Sequence, residues 1–220
     1  MIQQKNFFHK NGFLIVKNFS DKKLINQIKK DIFDISLEIY KKYNKKYTPS
    51  KYKEKKFDEI ILKAKNEKLK EVTSAVYDSC KKLRGFYKLI SNDKLNNLAE
   101  KLIGSKRLGI LPGGFGMRID YPGDRYWKAR LHQDYTSQLG SPNGIVCYTP
   151  LRKISKNIGP VVLYSKSHKR GVFDIKIDIN KVKKKKTYDP YYIKTSKQNL
   201  KKYKIKYLKL NETDLGLFHF

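Results

Sequence analysis

The chain is short of cysteine, arginine and histidine and has no long apolar run, and each scarcity excludes something. Its two cysteines, Cys80 and Cys147, lie far apart with no CxxC spacing, so they give neither a disulfide framework nor a zinc site and read as small buried hydrophobes. No run of about 18 apolar residues occurs, which leaves no candidate spanning helix. The start MIQQKNFFHKNGF lacks the basic opening, apolar stretch and small-residue cleavage site of a signal peptide. The expectation is a soluble cytoplasmic protein with no membrane partner. Arginine is the telling scarcity: only seven of the 50 basic residues are arginine. The formal net charge of +30 is therefore almost all lysine, and that lysine travels with abundant Ile, Asn, Tyr and Phe, as an A+T-rich coding sequence would produce. Specific nucleic-acid contacts favour the planar fork of arginine, so no specific nucleic-acid partner is expected.

What is present is a sizeable core: 39% hydrophobic residues, 13% of the chain aromatic, in 220 residues. The first half reads as helical. FFHKNGFLIVKNF gives a short helix, a turn at Asn11-Gly12 and an apolar strand from Phe13 to Val16. Ser20-Asp21 caps a helix running to about Tyr43, with Leu24, Ile25, Ile28, Ile32, Ile35 and Ile39 on one face. KKYNKKYTPSKYKEKK is an exposed loop. A second helical tract from Phe57 breaks near Arg84-Gly85, and a short helix starts at Asn92 or Asp93 and stops at Gly104. From Leu108 the grammar changes to short β-rich segments: GIVCYTPL, GPVVLYSKSH, KYKIKYLKL and DLGLFHF. The lysine-rich run KVKKKKTYDPYYIKTSKQNLKKYK reads as a solvated insertion between strands. With no flexible linker between the halves, residues 1–220 are expected to form one α+β domain, residues 1–104 mainly helical and residues 105–220 built of strands.

Within the β half, LHQDY carries the chemistry. In a strand, residues i and i+2 share a face, so His132 and Asp134 point the same way while Leu131 and Gln133 share the other side. An imidazole and a carboxylate so placed are two legs of a two-His-one-carboxylate triad for non-haem iron. A His-x-acid triplet arises by chance roughly one time in three in a chain of this composition, and a surface pair on an edge strand has the same pattern.

The context is more specific. RYWKARLHQDYTSQLGSPNGIVCYTPL followed by GPVVLYSKSHKRG, together with the opening FFHKNGFLIVKNFSDKKLINQIKK, resembles the phytanoyl-CoA dioxygenase family of Fe(II)/2-oxoglutarate oxygenases over most of the chain. The resemblance implies a double-stranded β-helix, the cupin-like jelly-roll, with helices packed outside it and iron at one open end. It implies Fe(II) as cofactor, 2-oxoglutarate as cosubstrate, and hydroxylation of an aliphatic carbon in a small molecule. His132 and Asp134 match the first two iron ligands. Tyr148 falls where the family often places an aromatic beside 2-oxoglutarate, and Arg118 and Arg130 are candidate contacts for a carboxylate. Ser167-His168 matches a Ser-His pair read as a structural turn, and residues 120–124 read as a turn or lid near the site mouth.

TDLGLFHF resembles the strand leading to the family's third iron ligand, which comes a few residues after the histidine matched by His219, with a 2-oxoglutarate-binding arginine further on. The sequence stops at Phe220. The expectation is a C-terminally truncated jelly-roll in which His219 is an ordinary residue near the site; the alternative is that His219 is itself the third ligand.

Overall fold

A computed structural model describes residues 2–44, 46–49, 51–111, 116–121, 123–124, 126, 128–135, 141–184 and 191–220. The chain separates into two compact units, one of residues 20–95 with 115–119, the other of residues 1–19, 96–114 and 120–220.

The first unit is helical. Its longest element, α2 (Lys22–Tyr43), begins where Asp21 accepts a hydrogen bond from the Lys23 amide, satisfying one of the donors a helix start leaves unpaired. The buried stripe of α2 is Ile25, Ile28, Lys29, Ile32, Phe33, Ser36 and Tyr40. It is rotated from the expected row, since Ile35 and Ile39 are only half-buried. Two polar residues are tolerated in it because each has a partner. Ser36 Oγ donates to the Ile32 carbonyl, and the Lys29 ammonium reaches Glu54 at 3.3 Å and lies 5.7 Å from the Phe57 ring centre. The expected exposed loop packs closer than its lysines implied: Tyr52 meets Phe33 edge-on, and Tyr47 meets Tyr40. Next come α3 (Glu59–Asn66), α4 (Lys70–Cys80) and α5 (Arg84–Ile90). The tract therefore breaks at 67–69 and 81–83, and Arg84-Gly85 opens a helix instead of ending one. Gly85 is there for proximity: a Cβ would come within 2.7 Å of Ile28. The helix α6 (Asp93–Ile103), in which the boundary between units falls, starts as expected with the Asn92 side chain accepting from the Lys94 amide, and Gly104 closes it at φ +81°.

The second unit holds the strands. After α1 (Ile2–Asn11), β1 (Phe13–Val16) pairs antiparallel with β7 (Leu215–His219), whose other edge pairs with β2 (Ile145–Tyr148). Leu14 and Cys147 both lie opposite Leu217. The middle strand is the buried one, with Leu215 and Leu217 almost wholly enclosed. Leu208 and Leu210, packed with Phe13, Tyr148 and Phe218, cover this sheet. Two ribbons complete the unit: β3 (Val162–Ser165) with β6 (Lys204–Tyr207), and β4 (Ile175–Ile177) with β5 (Tyr191–Ile193). Two short helices, α7 (Ile179–Lys183) and α8 (Lys197–Lys201), flank β5 in sequence.

The four expected β segments thus all contain strands, and the fold is mixed helix and antiparallel sheet. Among the described residues the sheets are open, one of three strands and two of two, and none of them is closed into a barrel. The lysine-rich run is more structured than a solvated insertion, because β5 buries Ile193. Cys80 is buried as expected, whereas Cys147 is exposed on β2.

Asp214, at the entry to β7, is fully buried and multiply bonded. It accepts from the Lys17 ammonium at 2.7 Å, the Asn18 amide at 3.1 Å and the Asn211 amide at 2.8 Å. It thereby joins the end of β1 to the turn before β7. No helix among the described residues is long and apolar enough to cross a membrane.

Candidate metal centre

His132 and Asp134 lie on a segment that is not a strand. Residues 128–133 have no ladder and the chain bends at Leu131, which corrects the expectation of a strand ending in His-x-Asp. Two contacts tie it to the β4–β5 ribbon. The Ile193 amide donates to the Leu131 carbonyl at 3.0 Å, and the Arg130 guanidinium lies 3.8 Å above the Tyr192 ring. The shared direction of the two side chains survives without the strand. His132 Nε2 is 3.5 Å from Asp134 Oδ1, and both side chains are about one-third exposed, at 39% and 35%.

The histidine is oriented. His132 Nδ1 lies 2.6 Å from the Arg130 carbonyl, and since a carbonyl only accepts, Nδ1 carries the proton. That leaves Nε2 as the lone-pair nitrogen on the Asp134 side. A metal-ligating histidine is commonly held this way, its second ring nitrogen donating to a backbone carbonyl. Two neighbouring ligands with bonds of about 2.1 Å place their donor atoms about 3 Å apart in an octahedral ion, so the observed 3.5 Å is within about half an ångström of closing on a cation. The pair fits a divalent metal. No cluster of three or more His, Cys, Asp or Glu suited to a metal occurs among the described residues.

The pair lines a cavity of about 120 Å³ whose walls are mixed, with Phe13, Leu163, Phe173, Ile193 and Phe218 on the apolar side. Asn11, Ser165, Ser167, His168 and His219 supply polar atoms. Two of these are accounted for by packing. His168, in the turn Ser167–Arg170, has Nε2 3.0 Å from the His9 carbonyl, and its ring lies so close over Gly12 that a Cβ there would come within 2.4 Å of Nδ1. Gly12 also sits at φ +80°, where a side chain is strained. His219, on β7, stacks on Phe8 at 5.9 Å between ring centres and lies 5.3 Å from the His168 ring. Burial lowers the pKa of both His168 and His219, and for His219 the neighbouring His168 and His9 add to the effect.

The remaining sequence candidates lie elsewhere. Tyr148 packs into the Phe13, Leu208 and Leu210 cluster and is not among the cavity-lining residues. Arg118 is exposed and belongs to the helical unit. Asp124 donates its amide to the Tyr121 carbonyl, so a turn does form there; Pro122 within it lies outside the described residues. Phe173 and Ile193 were not singled out from sequence, because the lysines around them mask the apolar positions that face inward.

A family profile described as phytanoyl-CoA dioxygenase matches residues 8–220. The chain belongs to the phytanoyl-CoA dioxygenase family. The match covers nearly the whole chain, runs through both compact units, and carries the family-level expectation of an oxygenase that uses Fe(II) and 2-oxoglutarate. No curated protein matches the chain at a significant level.

Proposed function

We propose that residues 1–220 act as one Fe(II)- and 2-oxoglutarate-dependent oxygenase domain of the jelly-roll type, hydroxylating an aliphatic carbon of a small molecule. The carrying observation is the convergence of His132 Nε2 and Asp134 Oδ1 at 3.5 Å in the lining of a cavity with both apolar and polar walls. Family membership supports the reaction class, and that convergence supports the choice of place. His132 and Asp134 would hold the iron, which when bound supplies the activation of dioxygen at the expense of 2-oxoglutarate.

The chain's own residues do the positioning. The Arg130 carbonyl keeps the His132 proton on Nδ1, so that Nε2 meets a metal as a neutral donor. Phe173 and Ile193 exclude water and favour an aliphatic group over a charged one. At about 120 Å³ the cavity has room for a few heavy atoms, in keeping with a small aliphatic portion of a substrate. For 2-oxoglutarate, Tyr148 is the contact the family resemblance suggests within the unit that holds His132 and Asp134. Tyr148→Phe should raise the 2-oxoglutarate KM while leaving metal affinity unchanged, and an unaltered KM would remove Tyr148 from that role.

Calorimetric titration with Mn(II) tests the centre. His132→Ala and Asp134→Ala should each weaken binding at least tenfold, and unchanged affinity in both would remove the site. Succinate formation from 2-oxoglutarate with Fe(II) and ascorbate tests the activity. Metal binding without succinate would favour a non-catalytic binding module of the same fold. His219→Phe, which keeps the stack on Phe8, should leave Mn(II) affinity unchanged; a tenfold loss would make His219 the third ligand.

A further inference from the structure

The segment that carries His132 and Asp134 has no strand ladder to fix it, yet the two donor atoms are within 3.5 Å of each other. Something else must hold it. The side chain between the two does so in both hydrogen-bonding senses. Gln133 Nε2 donates to the Gly171 carbonyl at 3.1 Å, and Gln133 Oε1 accepts from the Phe173 amide at 2.8 Å. A primary amide pairs here with backbone as a neighbouring strand would, one donor and one acceptor at a time, but through a side chain that leaves residues 132 and 134 free to turn the other way.

We infer that Gln133 is the positioning residue of the metal centre: its amide couples the His132–Asp134 pair to the Gly171–Phe173 backbone and so sets the separation of the two donors. The inference rests on the reading of His132 and Asp134 as ligands. The partner segment is well suited to the task. Gly171 has φ +84° and ψ −156°, a conformation open to glycine and strained for other residues, which presents its carbonyl to the amide. Phe173 is 7% exposed and lies 5.0 Å from the Arg170 guanidinium, so the accepted N–H belongs to a residue anchored in the core. Because Phe173 also lines the cavity, one amide fixes both the ligand pair and a wall that a substrate would touch. Only an amide of this length has both an acceptor and a donor to offer. Glutamate keeps the acceptor for Phe173 and, when ionised, loses the donor to Gly171; methionine keeps the length and loses both.

The test is Mn(II) affinity in the full chain, with Gln133→Met, Gln133→Glu, His132→Ala and Asp134→Ala measured side by side. Residues that orient ligands typically change metal affinity by about ten- to a hundredfold. Gln133→Met should weaken Mn(II) binding about tenfold, Gln133→Glu by less, and neither should move the thermal midpoint of the metal-free protein as far as a core truncation does. The electron paramagnetic resonance spectrum of bound Mn(II) should broaden in Gln133→Met, a change in ligand geometry that general loosening at constant affinity would not produce. If His132→Ala and Asp134→Ala weaken binding and Gln133→Met does not, the positioning role is overturned and the metal centre stands. If the two alanine variants bind as the wild type does, the metal centre itself fails. Should Gln133→Met prove too unstable to titrate, Gln133→Glu decides: affinity equal to the wild type overturns the role, and an intermediate loss supports it.

Discussion

The strand β7 and the segment from Arg130 to Asp134 both read as strands in the sequence, and the structure treats them oppositely. β7 is flanked on both edges, its backbone groups paired with β1 and β2, and Leu215 and Leu217 are enclosed. The contacts described for the Arg130–Asp134 segment include a backbone bond from Ile193, the Gln133 side-chain amide on residues 171 and 173, and the Arg130 guanidinium over the Tyr192 ring. Burial fixes the first and polar side chains fix the second. The proposed metal centre lies on the less buried element, where His132 and Asp134 stay within reach of solvent.

Truncating each element should separate the two kinds of order. Leu217→Ala removes a fully buried side chain from the middle of the sheet and should cost about 3 kcal/mol, read as a lowered urea midpoint, with Mn(II) affinity of the folded protein unchanged. A loss of affinity as large as that of His132→Ala would show that the sheet, and not the local side chains, holds the ligand pair.

Asp214→Ala should cost about 2 kcal/mol, because the Asn18 and Asn211 amides lose their buried acceptor and Lys17 its counter-charge. Its acid dependence follows. Burial alone would raise the Asp214 pKa, but the bonds from Lys17, Asn211 and Asn18 prevail and hold it below the ordinary carboxylate value. A depressed carboxylate stabilises fully above its unfolded value of about 4, and the contribution is lost as pH falls through the folded value. The stability difference between wild type and Asp214→Asn should therefore shrink in the most acidic part of a pH series; a constant difference would contradict it.

A smaller effect belongs to the histidines. Both His168 and His219 have lowered pKa values, so the folded state resists their protonation. Their neutral forms contribute stability in full above the unfolded histidine value of about 6.5, and this is lost as pH falls below it. His219→Phe should flatten the decline in stability between pH 7 and pH 5, and an unaltered slope would remove His219 from that account. The smallest effect is on stability and the clearest on reactivity. Burial raises the Cys80 thiol to about 12, and Cys147, though exposed, is hemmed in enough by its sheet to be raised to about 11. Access, then, and not acidity, separates them. Iodoacetamide at pH 8 should label Cys147 first and leave Cys80 until unfolding, with mass spectrometry locating the adduct.

The same contrast explains what could be read in advance. Helices α1, α2 and α6 and strands β1 and β7 follow from signals written along the chain: a capping Asp21 or Asn92, a stopping Gly104, an apolar run at Phe13–Val16. The His132–Asp134 pair was legible as a triplet whose two side chains converge. The clamp of Gln133 on residues 171 and 173 was not, because it joins positions 38 and 40 residues apart through a side chain that carries no periodicity. Nor was the exposure of Cys147, since the pattern of β2 alone does not say which of its faces the remaining chain covers.

The pairing of Phe13 with Phe218 sets an order of events. During synthesis β1 emerges first and β2 much later, and the strand that joins them comes after both. Until residues 215–219 are made, two apolar strands wait with unpaired edges, while α2 to α5 have only local partners to find. Closing a loop of this length is slow compared with helix formation. The helical unit should accordingly be ordered early and the cavity last, since Phe13, Phe218 and His219 on its wall come together only when the sheet does.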